Sequence, residues 1–377
     1  MKLFLISQIF YPDQVSTANL YTDLCSVIAG DGIEVEVWAA HPSYSESGRQ
    51  PSSVYHKGII IRYLPSTNFR KLNLAGRLVN MITFTISICL KILISSDRTP
   101  VWTHTTSPFV GILLSHLCRM KKRKFIYILL DIFPEGLIRV GKVSGNNPLI
   151  RIWHKMFMNS LRRSEKIIVL GRDMKKWVSD SCNQCHNKII YIPHWQSDTL
   201  ISPVEFGQSK FVEKNGLRNK FVIQYSGNMG LWNELAILGK AVNKKMDDTV
   251  FLFAGNGIRK DELLNEIKEK NRSDVIFIPF QPNEIFNDVL CASHVHLVTL
   301  REKLEGMAVP SKIYGILAAG RPVIAMVPND SEIAYLVREE NCGFVLAPSD
   351  LDGLIEAMVI LKTDEQLRKS MQHSVSG

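Results

Sequence analysis

Several features that mark exported or non-globular chains are scarce in this sequence. Its 377 residues include only 7 cysteines, too few for a disulfide scaffold, and the odd number fits a reducing compartment. Glycine (23) and proline (16) are too rare for a collagen-like or low-complexity chain. No cationic segment with a small-residue cleavage site precedes the first apolar stretch, so we expect no signal peptide and a cytoplasmic location. Hydrophobic residues, at 46%, supply ample core for about two domains.

Acidic residues are scarce in the N-terminal half. Residues 1–195 hold 25 lysines and arginines against 12 acidic residues, a balance of +13, whereas the remainder carries −4. This asymmetry predicts an anionic partner such as nucleic acid, an acidic membrane or a phosphorylated substrate. Nucleic acid is disfavoured, because only Phe125 and Tyr127 follow the basic run Arg119–Lys124 and both lie in an apparent buried strand.

Long uninterrupted apolar runs are also missing. The most membrane-like segment, residues 74–95, is interrupted by polar residues, so we do not expect it to span a membrane: Asn80, Thr83, Thr85, Ser87 and Lys91. Cations precede the apolar run that starts at Val79, at Arg70, Lys71 and Arg77, and lie again at Arg119–Lys124. An apolar helix near clustered cations favours peripheral docking on the anionic inner face of the cytoplasmic membrane. A core helix followed by a solvated turn is the alternative.

Short apolar strands alternate with longer amphipathic segments along the whole chain. The pattern starts at Leu3–Ile6, pauses over the polar stretch Gln196–Lys220, and restarts at Phe221–Tyr225. Such alternation is typical of βαβ units and parallel sheets. We therefore predict an α/β chain of two doubly wound, Rossmann-like domains over 1–195 and 219–361, with a linker over 196–218. Whether a final helix within 362–377 returns to the first domain is left open.

Three segments of the C-terminal half carry the clearest motifs. Tyr225–Gly230 and Phe253–Gly257 each place a glycine turn directly after a strand, where backbone amides can approach an anion. Glu305–Ala325 contains a glycine loop, then Pro310–Ser311 at a helix start, then Lys312. A helix amino terminus next to a lysine suits a diphosphate. Tight turns and a well-capped helix are the purely structural interpretation.

The arrangement Glu-Gly-x-x-x-Pro-Ser-Lys-x-Tyr-x-x-x-Ala-Ala-Gly-Arg-Pro-Val over residues 305–323 resembles retaining glycosyltransferases of family 4, which have the GT-B fold. Within that family the chain is similar to the fucosaminyltransferase-like enzymes of bacterial O-antigen and capsule synthesis. Further similarities lie in Phe10–Pro12, Leu130–Glu135 and Ile192–Trp195, so the resemblance covers nearly the whole chain.

The resemblance implies two domains facing each other across a cleft and transfer, with retention, of a sugar from a nucleotide-diphosphate donor. The expected donor is a UDP-linked N-acetylated or deoxy sugar, and the expected acceptor is a polyprenyl-diphosphate-linked sugar. Cations would stabilise the leaving diphosphate, so no divalent metal and no other cofactor is expected.

The same resemblance assigns expected roles to individual residues. Catalytic roles are expected for Asp131, Glu305 and Lys312. Contacts to the nucleotide-sugar are expected from Ser16, Thr17, Gly227, Asn228, Gly255, Asn256, Arg259, Lys260, Phe280, Gln281, Gly306, Met307, Ala308, Val309, Pro310, Ser311 and Tyr314. On the acceptor side we expect His41 and His104, each near a strand end, together with Glu135.

The chain also departs from the family pattern. Two glutamates usual in the family correspond to Met307 and Gly315, and a usual arginine and lysine correspond to Asn228 and Asn233. The phosphate clamp would then depend on Lys312, with three further candidate cations, Arg259, Lys260 and Arg321. A catalytically weak member with a scaffolding role is therefore the alternative function. A sugar-nucleotide epimerase is disfavoured by the cationic first half.

One match to a known motif is interpreted as a coincidence of spacing. Cys182–His186 spells the haem-attachment pattern Cys-x-x-Cys-His, but that chemistry requires export. A zinc site at the same place would have only His186 and His194 as further ligands nearby.

Overall fold

The computed structural model describes residues 2–13, 15–43, 48–69, 74–195, 200–269 and 272–373. The chain divides into two compact units, Met1–Pro193 (unit 1) and His194–Gly377 (unit 2). Two cations named above, Arg70 and Lys71, and residues 196–199 of the expected linker lie outside the described residues.

Unit 1 is built on an eight-stranded sheet with strand order β3-β4-β2-β1-β5-β6-β7-β8. Its strands are β1 (Lys2–Ser7), β2 (Glu34–Ala39), β3 (Ser53–His56), β4 (Ile59–Tyr63), β5 (Val101–His104), β6 (Phe125–Leu129), β7 (Lys166–Val169) and β8 (Ile189–Tyr191). All neighbouring strands pair in parallel except the β3–β4 hairpin. The apolar character of the central strands follows from their burial on both faces.

Within the described residues of unit 1, six α-helices and one 3-10 helix connect these strands. They are α1 (Ser16–Gly30), α2 (Leu74–Ile94), α3 (Pro108–Met120), α4 (Glu135–Arg139), α5 (Pro148–Arg163), α6 (Arg172–Ser181) and the 3-10 helix Asn183–Lys188. Within α2, the stretch Ala75–Ile94 is long and apolar enough to cross a membrane by length and composition alone, a property that buried core helices share, and part of it is buried in unit 1. Phe84, Ile88 and Ile92 are fully buried, so one face of α2 packs on the core.

Unit 2 contains a six-stranded parallel sheet with the order β11-β10-β9-β12-β13-β14. Its strands are β9 (Phe221–Ser226), β10 (Thr249–Ala254), β11 (Val275–Ile278), β12 (Val295–Thr299), β13 (Val323–Met326) and β14 (Gly343–Leu346). This is the 3-2-1-4-5-6 order of the Rossmann fold, whose order reverses between β9 and β12. In such sheets ligands bind beyond the carboxyl ends of the strands at that reversal.

The helices of unit 2 cover both faces of its sheet. They are α7 (Lys210–Lys214), α8 (Ala236–Val242), α9 (Lys260–Glu266), α10 (Asn283–Cys291), α11 (Lys312–Ala318), α12 (Glu332–Glu339), α13 (Leu351–Thr363), α14 (Glu365–His373) and the 3-10 helix Phe206–Gln208. Val212 and Leu217 are buried in a core of unit 2, so this part of the expected linker belongs to a folded layer. Met371 of α14 joins the main core of unit 2.

One pair of cysteines is joined. Cys182 and Cys185 form a disulfide, and five further cysteines are free. No group of three or more histidine, cysteine or acidic side chains within the described residues is placed to hold a metal ion.

Candidate functional site

The two glycine turns of unit 2 lie against each other at the carboxyl end of the sheet. Gly227 follows β9 with φ of 115°, and Gly255 follows β10 with φ of 133°. The Gly227 N–H donates to the Ala254 carbonyl at 2.8 Å. A Cβ on Gly255 would lie 2.1 Å from the Gly227 carbonyl oxygen. Glycine is therefore required here both by the backbone conformation and by the close approach of the two turns.

A further loop, which follows β12 and contains Gly306, reaches the same edge of the sheet. Gly306 has φ of 74°, and the three residues after it, Met307, Ala308 and Val309, are buried. Because their side chains pack inward, any contact of Met307 and Val309 with a ligand would have to use the backbone. Glu305, Pro310 and Ser311 are half-buried, and α11 starts at the next residue.

Lys312 brings these loops together. Its Nζ lies 3.6 Å from the centre of the Tyr225 ring, and it sits 3.6 Å from the position that a Cβ on Gly227 would occupy. The nitrogen is shielded from solvent and has no hydrogen-bond partner among the described residues, although the residue as a whole is half-buried. Burial lowers the pKa of the ammonium group to about 7. A buried amine without an anionic partner is costly, and an anion at the Gly227 turn would supply that partner.

The other candidate cations of unit 2 are already engaged. The Arg259 Nε donates to Glu262 at 2.7 Å, and its guanidinium also donates to the Asn233 carbonyl. Arg321 donates to the carbonyls of Val204 and Cys291. Both arginines are buried, so they stabilise loops in this structure, contrary to the expectation that they are available to clamp a phosphate. Lys260 is half-buried, with Nζ 5.5 Å from the centre of the Phe277 ring.

Exposed polar and aromatic groups surround the turns. Asn228 and Asn256 have exposed side chains, and the carbonyl of Asn228 accepts bonds from the Tyr225 hydroxyl and the Asn233 amide. Phe280, after β11, is 59% exposed. This ring offers an apolar face of the kind on which a nucleobase can stack.

Gln281 and Tyr314 lie in the same unit. The Gln281 side chain donates to the Pro279 carbonyl at 2.8 Å, and Tyr314 on α11 contacts the His194 ring at 6.1 Å between centres. Both residues are half-buried.

The candidate residues of unit 1 lie at the carboxyl edge of its own sheet. Asp131 follows β6, and the Thr105 hydroxyl accepts the backbone N–H groups of Leu130 and Asp131 at 2.9 and 3.0 Å. Glu135 begins α4, where its carboxylate lies 3.7 Å from Arg139 and 3.9 Å from His154. Thr105 was not predicted as a residue of this site. Its position directly after β5 was the signal in the sequence that could have indicated it.

His104 is placed differently from our expectation. It is 2% exposed, its Nε2 lies 2.9 Å from the Ser7 hydroxyl, and its ring stacks on Tyr21. Burial lowers the pKa of His104 to about 3, so the ring is neutral at physiological pH. Because the end of β5 is covered, His104 belongs to the core and is out of reach of an acceptor in this structure.

His41, Ser16 and Thr17 remain accessible at the same edge. The half-buried His41 accepts the Gln50 N–H and stacks on Tyr63. Its pKa is lowered by burial and by the nearby charge of Arg49. Ser16 and Thr17 form the first turn of α1, where Ser16 is exposed.

Comparisons with known proteins agree with this geometry. Residues 220–364, most of unit 2, match the family model described as glycosyl transferases group 1. WbjE of Pseudomonas aeruginosa, named "Probable glycosyltransferase WbjE", is 26% identical over 228 residues, 60% of this chain and 57% of that protein. WcaI of Escherichia coli (strain K12), named as a colanic acid biosynthesis glycosyl transferase, is 23% identical over 225 residues, 58% and 54% of the two chains. These matches span little more than half of each relative.

Solved structures match over the whole chain. Anabaena Alr3699/HepE in complex with UDP-glucose has a TM-score of 0.72 at 14% identity, covering 100% of this chain and 94% of that one. WaaG, a glycosyltransferase involved in lipopolysaccharide biosynthesis, has a TM-score of 0.69 at 14% identity, covering 99% and 94%. The fold of this chain is therefore GT-B, with two parallel-sheet α/β units, and unit 2 carries the sequence pattern of group 1 glycosyl transferases.

Proposed function

We propose that this chain is a retaining glycosyltransferase that transfers a sugar from a nucleotide-diphosphate donor to a lipid-linked sugar in bacterial surface-polysaccharide synthesis. The observation that carries the proposal is the buried Lys312 amine beside the Gly227 turn, which has no hydrogen-bond partner in the part of the chain that the structure describes. The match of residues 220–364 to group 1 glycosyl transferases supports it.

The donor is proposed to bind to unit 2. Its diphosphate would contact Lys312 and the amides of the Gly227 turn, and its base would lie near Phe280 and Gln281. A UDP-linked donor is supported by the UDP-glucose complex of HepE. An N-acetylated or deoxy sugar is proposed from the resemblance to fucosaminyltransferase-like enzymes.

In the proposed reaction the bond between the anomeric carbon and the diphosphate breaks, and the acceptor hydroxyl bonds to that carbon from the same face. The acceptor proton passes to the leaving diphosphate oxygen. Lys312 stabilises the charge that develops there, so the step is proposed to need no divalent metal. Asp131 and Glu305 are proposed to orient the reacting sugar and acceptor.

A place at the inner face of the cytoplasmic membrane is supported by the helices of unit 1. The helices α2, α3 and α5 contain no acidic residue, and α3 packs against both of the others. Each exposes apolar side chains; on α5 these are Leu149 (73% exposed), Ile152 (55%) and Met156 (38%). Apolar helices with cations suit peripheral binding to an anionic bilayer, where the lipid of the acceptor would lie.

The donor site is tested by thermal unfolding with UDP, GDP, ADP and CMP, each with and without magnesium. A ligand at 100 times its Kd stabilises the folded state by about 2.7 kcal/mol. We expect one diphosphate to raise the melting temperature of the wild type without magnesium, and to have no effect on Lys312→Ala.

If no nucleotide shifts the melting temperature, the donor site is wrong and the scaffolding function takes precedence. The scaffolding function is supported by the absence of the family glutamates. Their positions are taken by the buried Met307 and by Gly315 in α11. A nucleotide shift without transferase activity on any lipid-linked sugar would also favour it.

A further inference from the structure

A cavity of about 380 Å³ lies in unit 1 beside α2. It is lined by Arg49, by residues 65–67 after β4, and by Thr83, Ile86 and Ser87 of α2. Its volume falls in the range of about 300–1,000 Å³ that is usual for small-ligand sites. None of the expected catalytic or donor residues lines it.

One side of the cavity offers hydrogen-bond donors. A guanidinium has five N–H donors, and one of those on Arg49 binds the Ser66 carbonyl at 3.3 Å. Ser66 is 6% exposed, and its hydroxyl has no partner among the described residues. No acidic side chain is among the described residues that line the cavity. A cation and an unpaired buried hydroxyl fit an anion, and a phosphate in particular.

The other side of the cavity is apolar and continues along α2. Ile86, on the rim, is 54% exposed. It belongs to a ridge of exposed apolar residues spaced four, four, four and three apart, which places them on one face of the helix: Leu78, Ile82, Ile86, Leu90 and Leu93. The cavity therefore joins a polar end to an apolar ridge that runs from Leu78 to Leu93 on α2.

The cavity also lies at the carboxyl edge of the sheet, where α/β folds bind ligands. Residues 65–67 follow the end of β4, and Arg49 lies in the connection that follows β2. Asp131 follows the end of β6 at the same edge. Gln50, next to Arg49 in the chain, donates its N–H to His41 Nδ1 at 3.3 Å, which places the Arg49 backbone near His41.

We propose that this cavity binds the phosphate or diphosphate of an isoprenoid lipid, with Arg49 and Ser66 contacting the phosphate and the α2 ridge contacting the hydrocarbon chain. The inference deepens the proposed function and rests on it, because the lipid would be the carrier of the acceptor sugar. It assigns the recognition of the carrier to unit 1 residues that none of the sequence motifs includes.

The test is isothermal titration of the full chain carrying Lys312→Ala, whose donor site is expected to bind no diphosphate, with farnesyl diphosphate, inorganic pyrophosphate and farnesol. We expect farnesyl diphosphate to bind, pyrophosphate to bind more than tenfold more weakly, and farnesol to bind least. Arg49→Gln should weaken farnesyl diphosphate binding at least tenfold, and Ser66→Ala severalfold. Ile86→Ser should weaken farnesyl diphosphate but leave pyrophosphate unchanged.

The matched control is Arg98→Gln, which makes the same exchange at an exposed arginine before β5 and should leave binding unchanged. Equal affinities for pyrophosphate and farnesyl diphosphate would overturn the lipid assignment and indicate a site for free phosphate. No binding of farnesyl diphosphate, or equal binding by Arg49→Gln, would overturn the site itself.

The nucleotide melting shift separates this inference from the proposed function. If UDP stabilises both wild type and Arg49→Gln while farnesyl diphosphate binds neither, only the lipid site fails. If farnesyl diphosphate binds in the expected pattern but no nucleotide does, the glycosyltransferase function fails and the lipid site remains.

Discussion

Lys312 lies in an environment that differs strongly from that of an ordinary surface lysine. Its Nζ is buried over the Tyr225 ring, and burial lowers its pKa to about 7. The amine is therefore largely neutral at alkaline pH while the site is empty. An arriving diphosphate favours the charged form, so binding is coupled to proton uptake.

Nucleotide affinity should consequently fall as the pH rises from 7.5 to 9, where phosphate groups are already ionised (second pKa about 6). We expect a decline of up to about tenfold per pH unit in the wild type. Lys312→Met, which lacks the amine as Lys312→Ala does, should show no nucleotide binding at any pH in this range. Calorimetric titration across this range measures it. A flat wild-type profile would mean that Lys312 does not pair with the diphosphate.

The same lowered pKa has the opposite effect on the stability of the unliganded protein, which should increase with pH. The unfolded chain binds the lysine proton up to its ordinary pKa near 10.5, whereas the folded chain releases it near 7. The free energy of unfolding of wild type relative to Lys312→Met should therefore rise with pH between 7 and 10.

Gly255 gives a second prediction at the residue scale. A side chain there would meet the Gly227 carbonyl and would have to adopt a φ of 133°. Gly255→Ala should therefore lower the free energy of unfolding by roughly 3 kcal/mol and abolish nucleotide binding. Gly207→Ala is the control, because a Cβ at Gly207 meets nothing within 4 Å. Chemical denaturation measures the free energy of unfolding of both variants. Equal values for Gly255→Ala and Gly207→Ala would contradict the close approach of the Gly227 and Gly255 turns.

At the scale of elements, α2 shows why a polar residue in an apolar helix can be informative. Asn80 interrupts the apolar run in the sequence, and in the structure its amide bonds the backbone N–H and carbonyl of Phe69 and the Thr67 hydroxyl. It therefore holds the segment after β4 against α2, next to the proposed lipid site.

Replacing Asn80 with leucine makes α2 more apolar but leaves these backbone groups without partners. We expect Asn80→Leu to destabilise unit 1 by roughly 2 kcal/mol. Thr85→Val is the matched control, since the Thr85 hydroxyl bonds only within its own helix, to the Met81 carbonyl, and should cost less than about 1 kcal/mol. Denaturant midpoints measure both; an unchanged midpoint for Asn80→Leu would exclude this role.

Most elements were predictable because their pattern is local. The strand-and-glycine alternation placed strands at Leu3–Ile6 and Phe221–Tyr225, each within one residue of β1 and β9 in the structure. The β3–β4 hairpin was missed: its turn uses Lys57 and Gly58, both with positive φ, and only Gly58 is a usual turn signal. His104 and Arg259 were misjudged because burial depends on which distant elements cover a strand end, which local sequence does not encode.

At the scale of the whole molecule, charge is divided between the two units. The excess of cations lies in residues 1–195, but not every cation of the basic run is free to act. Arg123 is buried, with its Nε donating to the Thr99 carbonyl. The surface part of the run is therefore Arg119 together with three lysines, Lys121, Lys122 and Lys124.

Replacing these three lysines with alanine should weaken binding to anionic vesicles about 100-fold, since each cation near such a surface contributes about 1 kcal/mol. The matched control replaces three lysines of unit 2 that are exposed, Lys214, Lys240 and Lys244. Flotation with phosphatidylglycerol vesicles measures both, and raising the salt concentration from 0.1 to 1 M should mimic the first variant by screening. Similar flotation of both variants would remove the basic run from membrane binding.

The Lys312 amine also bears on turnover. In the proposed reaction, the nucleoside diphosphate that remains after sugar transfer carries more negative charge than the donor did and would hold the lysine proton more firmly. Acidic conditions would then slow the departure of product, while alkaline conditions would slow the capture of the next donor. A single shielded nitrogen would thus set both flanks of the pH–rate curve, with the fastest cycling near neutrality.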